Sequence, residues 1–204
     1  MSNRDLPAIL DDLFATIRQF LRAGFESPDT IVALAIEQYA DATDPTLLRP
    51  HARRMTQELL RDLLAEQAIW PAITDCDRLD MAFAQLQATG IVCRQDFSCC
   101  GTCGAYEIWD EIATVEDGGG VVHGYAFYHT QDTESALEGY GLYLNYGARL
   151  KGEVAALAVA AEIVAALQQH GLTVDWNGSW DRRIGVTLDW KRRRSPSELA
   201  RFQS

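Results

Sequence analysis

Apolar residues recur at helical spacing through the first ninety positions and at strand spacing in several later stretches. Leu6, Ile9, Leu10, Leu13, Ile17, Phe20 and Leu21 make a stripe of period 3.6, which predicts a helix over residues 5–22 with Pro7 in its first turn. Ser27 and Pro28 supply an N-cap and a first helical residue for a second helix, expected to run through position 40. Asp44 and Pro45 open a third in the same way, carrying Met55, Leu59, Leu60, Leu63 and Leu64 to about position 68. Pro50 is expected to split it into a short helix and a long one. A fourth helix from Asp75 places Leu79, Met81, Phe83 and Leu86 before Gly90.

Beyond Gly90 the texture changes. Ile91 to Cys93 reads as a short strand, residues 101–112 as a helix, and residues 121–129 as a strand rich in β-branched and aromatic side chains. Tyr140, Leu142, Leu144 and Tyr146 alternate with Gly141, Tyr143 and Asn145, the period of another strand. Residues 151–170 form a strong helix closed by Gly171, and residues 172–176 and 182–190 a hairpin around Asn177 and Gly178. The pattern predicts an α+β fold: N-terminal helices followed by a mainly antiparallel sheet with packed helices. Residues 1–204 are expected to form a single compact unit, with a helical subdomain 1–89 and an α+β part 90–194.

At 204 residues the chain can bury roughly 70% of the surface its unfolded form exposes, so no covalent staples are required. Twenty-nine acidic against 18 basic residues give a formal net charge of −11, which excludes nucleic acid and anionic membranes as partners of the whole surface. The basic run Lys191 to Arg194 reads as a solvated tail. No leader is expected from the first residues, and no apolar run reaches the ~18 residues of a spanning helix. A cytoplasmic setting follows, in which five cysteines are an odd set for structural disulfides. A protein partner or a homo-oligomer fits this composition.

Candidate chemistry concentrates in Phe97-Ser-Cys-Cys-Gly-Thr-Cys-Gly104, which sets Cys99, Cys100 and Cys103 between a strand and a helix, with Cys93 just upstream. Free N–H groups at a helix start favour a thiolate, so Cys100 and Cys103 fit a thiol–disulfide pair. Zinc is the candidate cofactor of the competing reading, with Cys93, Cys99, Cys100, Cys103, His123 and His129 as the pool of ligands. In a relaxed loop the adjacent Cys99 and Cys100 are not expected to face one ion, and packed, unreactive thiols are the plain alternative. Cys76 reads as packing, His51 as surface and His170 as a helix C-terminal group. A second feature, His129-Thr-Gln-Asp-Thr-Glu134, reads either as a solvated turn whose Asp132 or Thr133 caps a short helix, or as a cluster in which His129, Asp132 and Glu134 could serve a metal-dependent hydrolase. Trp176 and Trp180 flank a turn and fit either a sheet core or the edge of a ligand site.

The runs FSCCGTCG at 97–104, HTQDTE at 129–134, LYLNYG at 142–147 and WNGSWDRRIGV at 176–186 together resemble a bacterial domain-of-unknown-function family, number 6891. The resemblance covers about residues 80–190 and omits the N-terminal helices. It implies a shared fold and a shared site around these stretches, and no reaction. The functional reading is therefore a structural-metal or interaction module built on the cysteine turn, with a thiol–disulfide oxidoreductase and a metal-dependent hydrolase as alternatives.

Overall fold

The computed structural model describes residues 6–41 and 43–203. Residues 1–5, which hold the predicted helix start at Asp5 and the stretch from which no leader is expected, lie outside them. The elements in chain order are α1 (Leu6–Ala23), α2 (Pro28–Glu37), α3 (Pro45–Gln67), α4 (Asp75–Ala88), β1 (Ile91–Arg94), α5 (Gly101–Asp117) and β2 (Gly124–Phe127). There follow α6 (Thr130–Leu137), β3 (Leu142–Ala148), α7 (Glu153–Gln169), β4 (Thr173–Asp175), β5 (Ile184–Thr187) and α8 (Pro196–Gln203). Contacts gather the chain into two units, residues 1–72 with 191–204 and residues 73–190.

The first unit is helical. Ile9, Leu13, Ile17 and Leu21 of α1 pack with Ile31 and Ile36 of α2, Leu48, Leu60 and Leu63 of α3 and Phe202 of α8. Each such side chain contributes roughly 1.5–3 kcal/mol when fully buried. Ser27 caps α2 by accepting from the Thr30 N–H, and Asp44 caps α3 through the Thr46 N–H. Two expectations fail here. Pro50 does not divide α3, which is continuous, because the buried Leu48 and Ala52 anchor the helix on both sides of the proline. Nor does α2 run through position 40; it ends at Glu37 and the chain continues in tight turns.

The run Lys191 to Arg194 is not a solvated tail. Arg194 is 5% exposed, and its guanidinium holds Glu198 and the carbonyls of Leu21 and Glu26. Arg192 lies over the ring of Phe25 at 4.6 Å and Arg193 over Trp70 at 5.9 Å. The basic side chains thus fasten the last segment to the helices of its own unit.

The second unit is a five-stranded sheet in the order β1-β2-β3-β5-β4. It is mixed rather than mainly antiparallel, since β1 pairs in parallel with β2 while β2/β3, β3/β5 and β4/β5 are antiparallel. The parallel pair exists because α5 carries the chain back to the starting end of the sheet, the crossover that parallel strands require. Alternation then sorts the side chains. Val92, Phe127 and Tyr125 meet Ile108 and Ile112 of α5. At Gly104 of α5 a Cβ would lie 2.5 Å from the Phe127 ring, so only glycine lets the helix sit this close to the sheet.

The stretch His129 to Glu134 does open the short helix expected there, with Asp132 in its cap, but it is not solvated. His129 is the N-cap of α6, and Asp132 and Thr133 are buried within it. Its polarity reflects specific buried partners rather than solvent.

Candidate functional site

The turn between β1 and α5 is held in an unrelaxed conformation. Asp96 and Ser98 adopt φ of 50° and 66°, a region costly for non-glycine residues, so surrounding bonds must maintain it. Those bonds come from the segment that leaves β2. Phe97 N–H donates to the Tyr128 carbonyl at 2.8 Å, and Thr130 donates to the Ser98 carbonyl through both its N–H (3.2 Å) and its hydroxyl (3.0 Å). The Thr133 hydroxyl donates to Asp96 at 2.6 Å. Farther out, the Tyr128 hydroxyl donates to Gln95, whose amide donates to Asp80.

This geometry puts the thiols of Cys99, Cys100 and Cys103 within 4.8 Å of one another. The adjacent Cys99 and Cys100 can share a focus because the loop is not relaxed. Cys99 is exposed and the other two are half-buried, and all three are free thiols. Cys100 occupies the N-cap of α5. Its sulfur makes no side-chain cap bond of strict geometry, yet the N–H groups of Cys103 and Thr102 face it and, with the neighbouring thiols, hold its pKa below the ordinary value. Cys103 is pushed the other way, to about 11, by hydrogen bonding to Cys99 and Cys100 and by their charge. One thiol is thus biased toward thiolate and its partner toward thiol.

The remaining predicted residues divide cleanly. Cys93 is buried in β1, its thiol donates to the Ile91 carbonyl, and burial raises its pKa, which makes it a packing residue. Cys76 is likewise buried, on α4. His123 precedes β2 at the starting end of the sheet and pairs with Glu162 at 3.2 Å. His129 follows the other end of that strand, against the cysteine turn. Six residues of extended chain at ~3.3 Å each put the two histidines on the order of 20 Å apart. His170 is the C-cap of α7 and bonds Gln85 at 2.9 Å.

His129 is 6% exposed, and a Cβ on Gly101, the residue after Cys100, would stand 3.5 Å from its Nε2. Its sulfur neighbours form the group within 4.8 Å without it. Nε2 lies 3.1 Å from Asp132, and the His129 backbone N–H donates to the same carboxylate at 3.2 Å. Arg183, which is not among the site residues expected from the sequence, donates from Nη1 to both oxygens of Asp132 at 2.9 and 3.1 Å. Arginine on the strand face beside Thr187 and opposite Ile184 was the available signal, since a charged residue flanking an apolar strand needs a partner. Glu134 does not join this group: it is exposed, two positions from the buried Asp132, and residues so spaced on a helix do not face each other.

Burial lowers the pKa of His129, opposed by the charge of Asp132, assisted by Arg183 and opposed again by Asp96. The fold therefore favours the neutral ring. As pH falls through 6.5, the unperturbed value, the unfolded chain takes up a proton that the folded chain refuses, so stability falls until the folded ring also protonates. Urea titrations at stepped pH should show this loss between neutrality and mild acid, and His129→Gln should flatten it; an unchanged slope in that variant would assign the loss to other groups.

A helical bundle and a mixed-sheet α+β unit with a surface turn of three thiols define the class. The chain belongs to the family described as a domain of unknown function, DUF6891, whose sequence pattern matches residues 7–194. The match includes the N-terminal helices, which the motif resemblance had left out. No curated protein and no solved structure matches the chain. Among the described residues no helix is long and apolar enough to cross a membrane.

Proposed function

We propose that the α+β unit binds a thiophilic divalent metal ion, zinc in the first instance, through Cys99, Cys100 and Cys103. The observation that carries this reading is the mutual approach of three sulfurs within 4.8 Å at the start of α5. Tetrahedral zinc with Zn–S bonds of ~2.3 Å separates its sulfurs by roughly 3.8 Å, so a modest contraction of the turn completes the geometry. The α5 N–H groups already favour the thiolate at Cys100, and a cation would extend that preference to Cys103. Three protein ligands leave one position open, unlike the closed four-ligand sites of purely structural zinc. The reading assumes a reducing, cytoplasmic setting, and the acidic surface keeps nucleic acid out of it.

Elemental analysis of protein purified under reducing conditions should find about one equivalent of zinc, and cobalt substitution should give thiolate-to-metal charge-transfer absorption. Both signals should vanish in Cys100→Ser and Cys103→Ser while the circular dichroism is kept. Folded, reduced protein that holds no zinc at added micromolar metal would end the proposal.

A second reading rests on the placement of Cys100 at the N-cap of α5 with the Cys103 sulfur within 4.8 Å, an arrangement that favours thiolate at the first and thiol at the second. In it the Cys100 thiolate attacks a substrate disulfide, forming a mixed disulfide and releasing one thiolate. Cys103 then loses its proton and attacks Cys100, closing the internal disulfide and releasing the second thiol. Stoichiometric reduction of a small disulfide by the prereduced protein that survives Cys100→Ser would remove it. The hydrolase reading finds no support, because Asp132 is committed to Arg183 and Glu134 faces elsewhere.

A further inference from the structure

A cavity of about 240 Å³ opens beside α5, between β2, β3 and the segment that leads into β5. A larger one, about 360 Å³, lies at the starting ends of β1 and β2 around Gly90 and Val122, where Arg94 is already paired with Glu111 and Gln87. The smaller cavity has an unusual balance of hydrogen-bonding groups. Asn145 lines it with an amide whose nitrogen is buried and finds no acceptor. Arg183 lines it as well, and spends only Nη1 on Asp132. Among the described residues its Nε and Nη2 make no hydrogen bond, and the Arg182 guanidinium makes neither a hydrogen bond nor an ion pair. The single acid at the cavity, Asp181, already accepts from the Ser179 hydroxyl.

Donors therefore outnumber acceptors, and although Asp132 balances the charge of Arg183, Arg182 stands among the described residues as a cation with no ion pair in a chain whose net charge is −11. The walls are flat. Tyr125 and Phe127, alternate residues of β2, present rings 6.3 Å apart at 23°, and Trp180 stands at the rim, half exposed. At roughly 30 Å³ per water-sized group the volume takes about eight non-hydrogen groups.

We propose that this cavity binds a small planar carboxylate, its acid group held by Arg182, Arg183 and Asn145 and its body laid against Tyr125 and Trp180. Planar guanidinium forks match a carboxylate edge to edge, and the aromatic walls reward a flat body that a bare inorganic anion lacks. The inference does not rest on the metal reading, although Asn145 also borders Gly101, next to Cys100.

Calorimetric titration of the full chain tests it with benzoate as the ligand, and with benzamide and inorganic phosphate as comparisons. Benzoate should bind saturably at one site, benzamide at least about tenfold more weakly and phosphate no better than benzamide, tenfold being the 1.4 kcal/mol of a single charge-assisted contact. Arg182→Gln and Asn145→Asp should each weaken benzoate by a similar factor. Arg182 is exposed, so that variant keeps the test intact if Asn145→Asp fails to fold. No saturable benzoate binding, equal binding of benzamide or phosphate, or full affinity in Arg182→Gln would overturn the proposal.

Discussion

Arg194→Ala lowers the stability of the helical unit by about 4 kcal/mol, as expected when one partner of a buried ion pair is removed and the other is left behind. Arg194 donates to Glu198 from Nε at 2.9 Å and from Nη2 at 2.5 Å, and Nη2 also reaches the Glu26 carbonyl at 2.6 Å. Nη1 approaches the Leu21 carbonyl at 3.4 Å, in the last turn of α1, where a cation opposes the helix dipole favourably. Truncation strands these acceptors. It also loosens α8, because Glu198 caps that helix by accepting from the Ser195 N–H, and Phe202 at its end is part of the core. Urea unfolding followed by circular dichroism would read the loss. Arg194→Lys should recover less than half of it, since an ammonium cannot span the carboxylate and two carbonyls at once. A change within ~0.5 kcal/mol, the range of ordinary surface substitutions, would return Arg194 to the solvated run that its neighbours suggested.

Asp132→Ala should cost the α+β unit about 3 kcal/mol, near the foot of the range for a broken buried pair. The carboxylate side chain is 4% exposed and serves Arg183, the His129 ring and, as part of the α6 cap, the His129 backbone N–H from which it accepts. The loss stops short of the full range because Arg183 is 41% exposed and regains water when released. Asp132→Asn keeps an acceptor for the cap and should cost about 1 kcal/mol, the worth of the lost charge assistance. Hydrogen exchange gives a sharper readout than global stability. Amides of Phe97 and Thr130, which tie the cysteine turn to the β2 exit, should exchange faster in Asp132→Ala than in the parent. If their protection is unchanged, the buried acid stabilises α6 alone and has no part in shaping the sulfur turn.

Much of the helical unit was legible because its signals are local. Ser27, Pro28, Asp44 and Pro45 mark helix starts by their own chemistry, and the α1 stripe needs no distant partner to be recognised. The sheet was harder. A strand, a helix and a strand in succession are compatible with a hairpin-based sheet or a crossover, and only the placement of α5 decides that β1 and β2 run parallel. The burial of α6 was hidden by the same non-local cause. Thr130 to Ser135 is polar throughout, which reads as solvated, but Asp132 is buried by an arginine fifty-one positions later. Arg194 was missed for a similar reason, since a run of basic residues carries no mark of the one that turns inward. Within the candidate site, the spacing of Cys99, Cys100 and Cys103 drew attention to them, and of the two histidines pooled with them His129 lies against Gly101, the residue after Cys100. His123 lies apart, because two residues on one extended strand separate with every step between them. Asn145 alternates with Leu144 and Tyr146, so its facing was readable, while its lack of an acceptor depends on the surrounding side chains.

The backbone N–H of Asp189 donates to the Asp75 carboxylate at 3.0 Å, so the entrance and exit of residues 73–190 are neighbours. A segment whose ends meet can be excised, or re-ligated through a short peptide and reopened elsewhere, without stretching its sheet. The construction of this chain is accordingly that of a guest spliced into a host: the helical unit is written in two instalments, and the α+β unit is the uninterrupted passage between them.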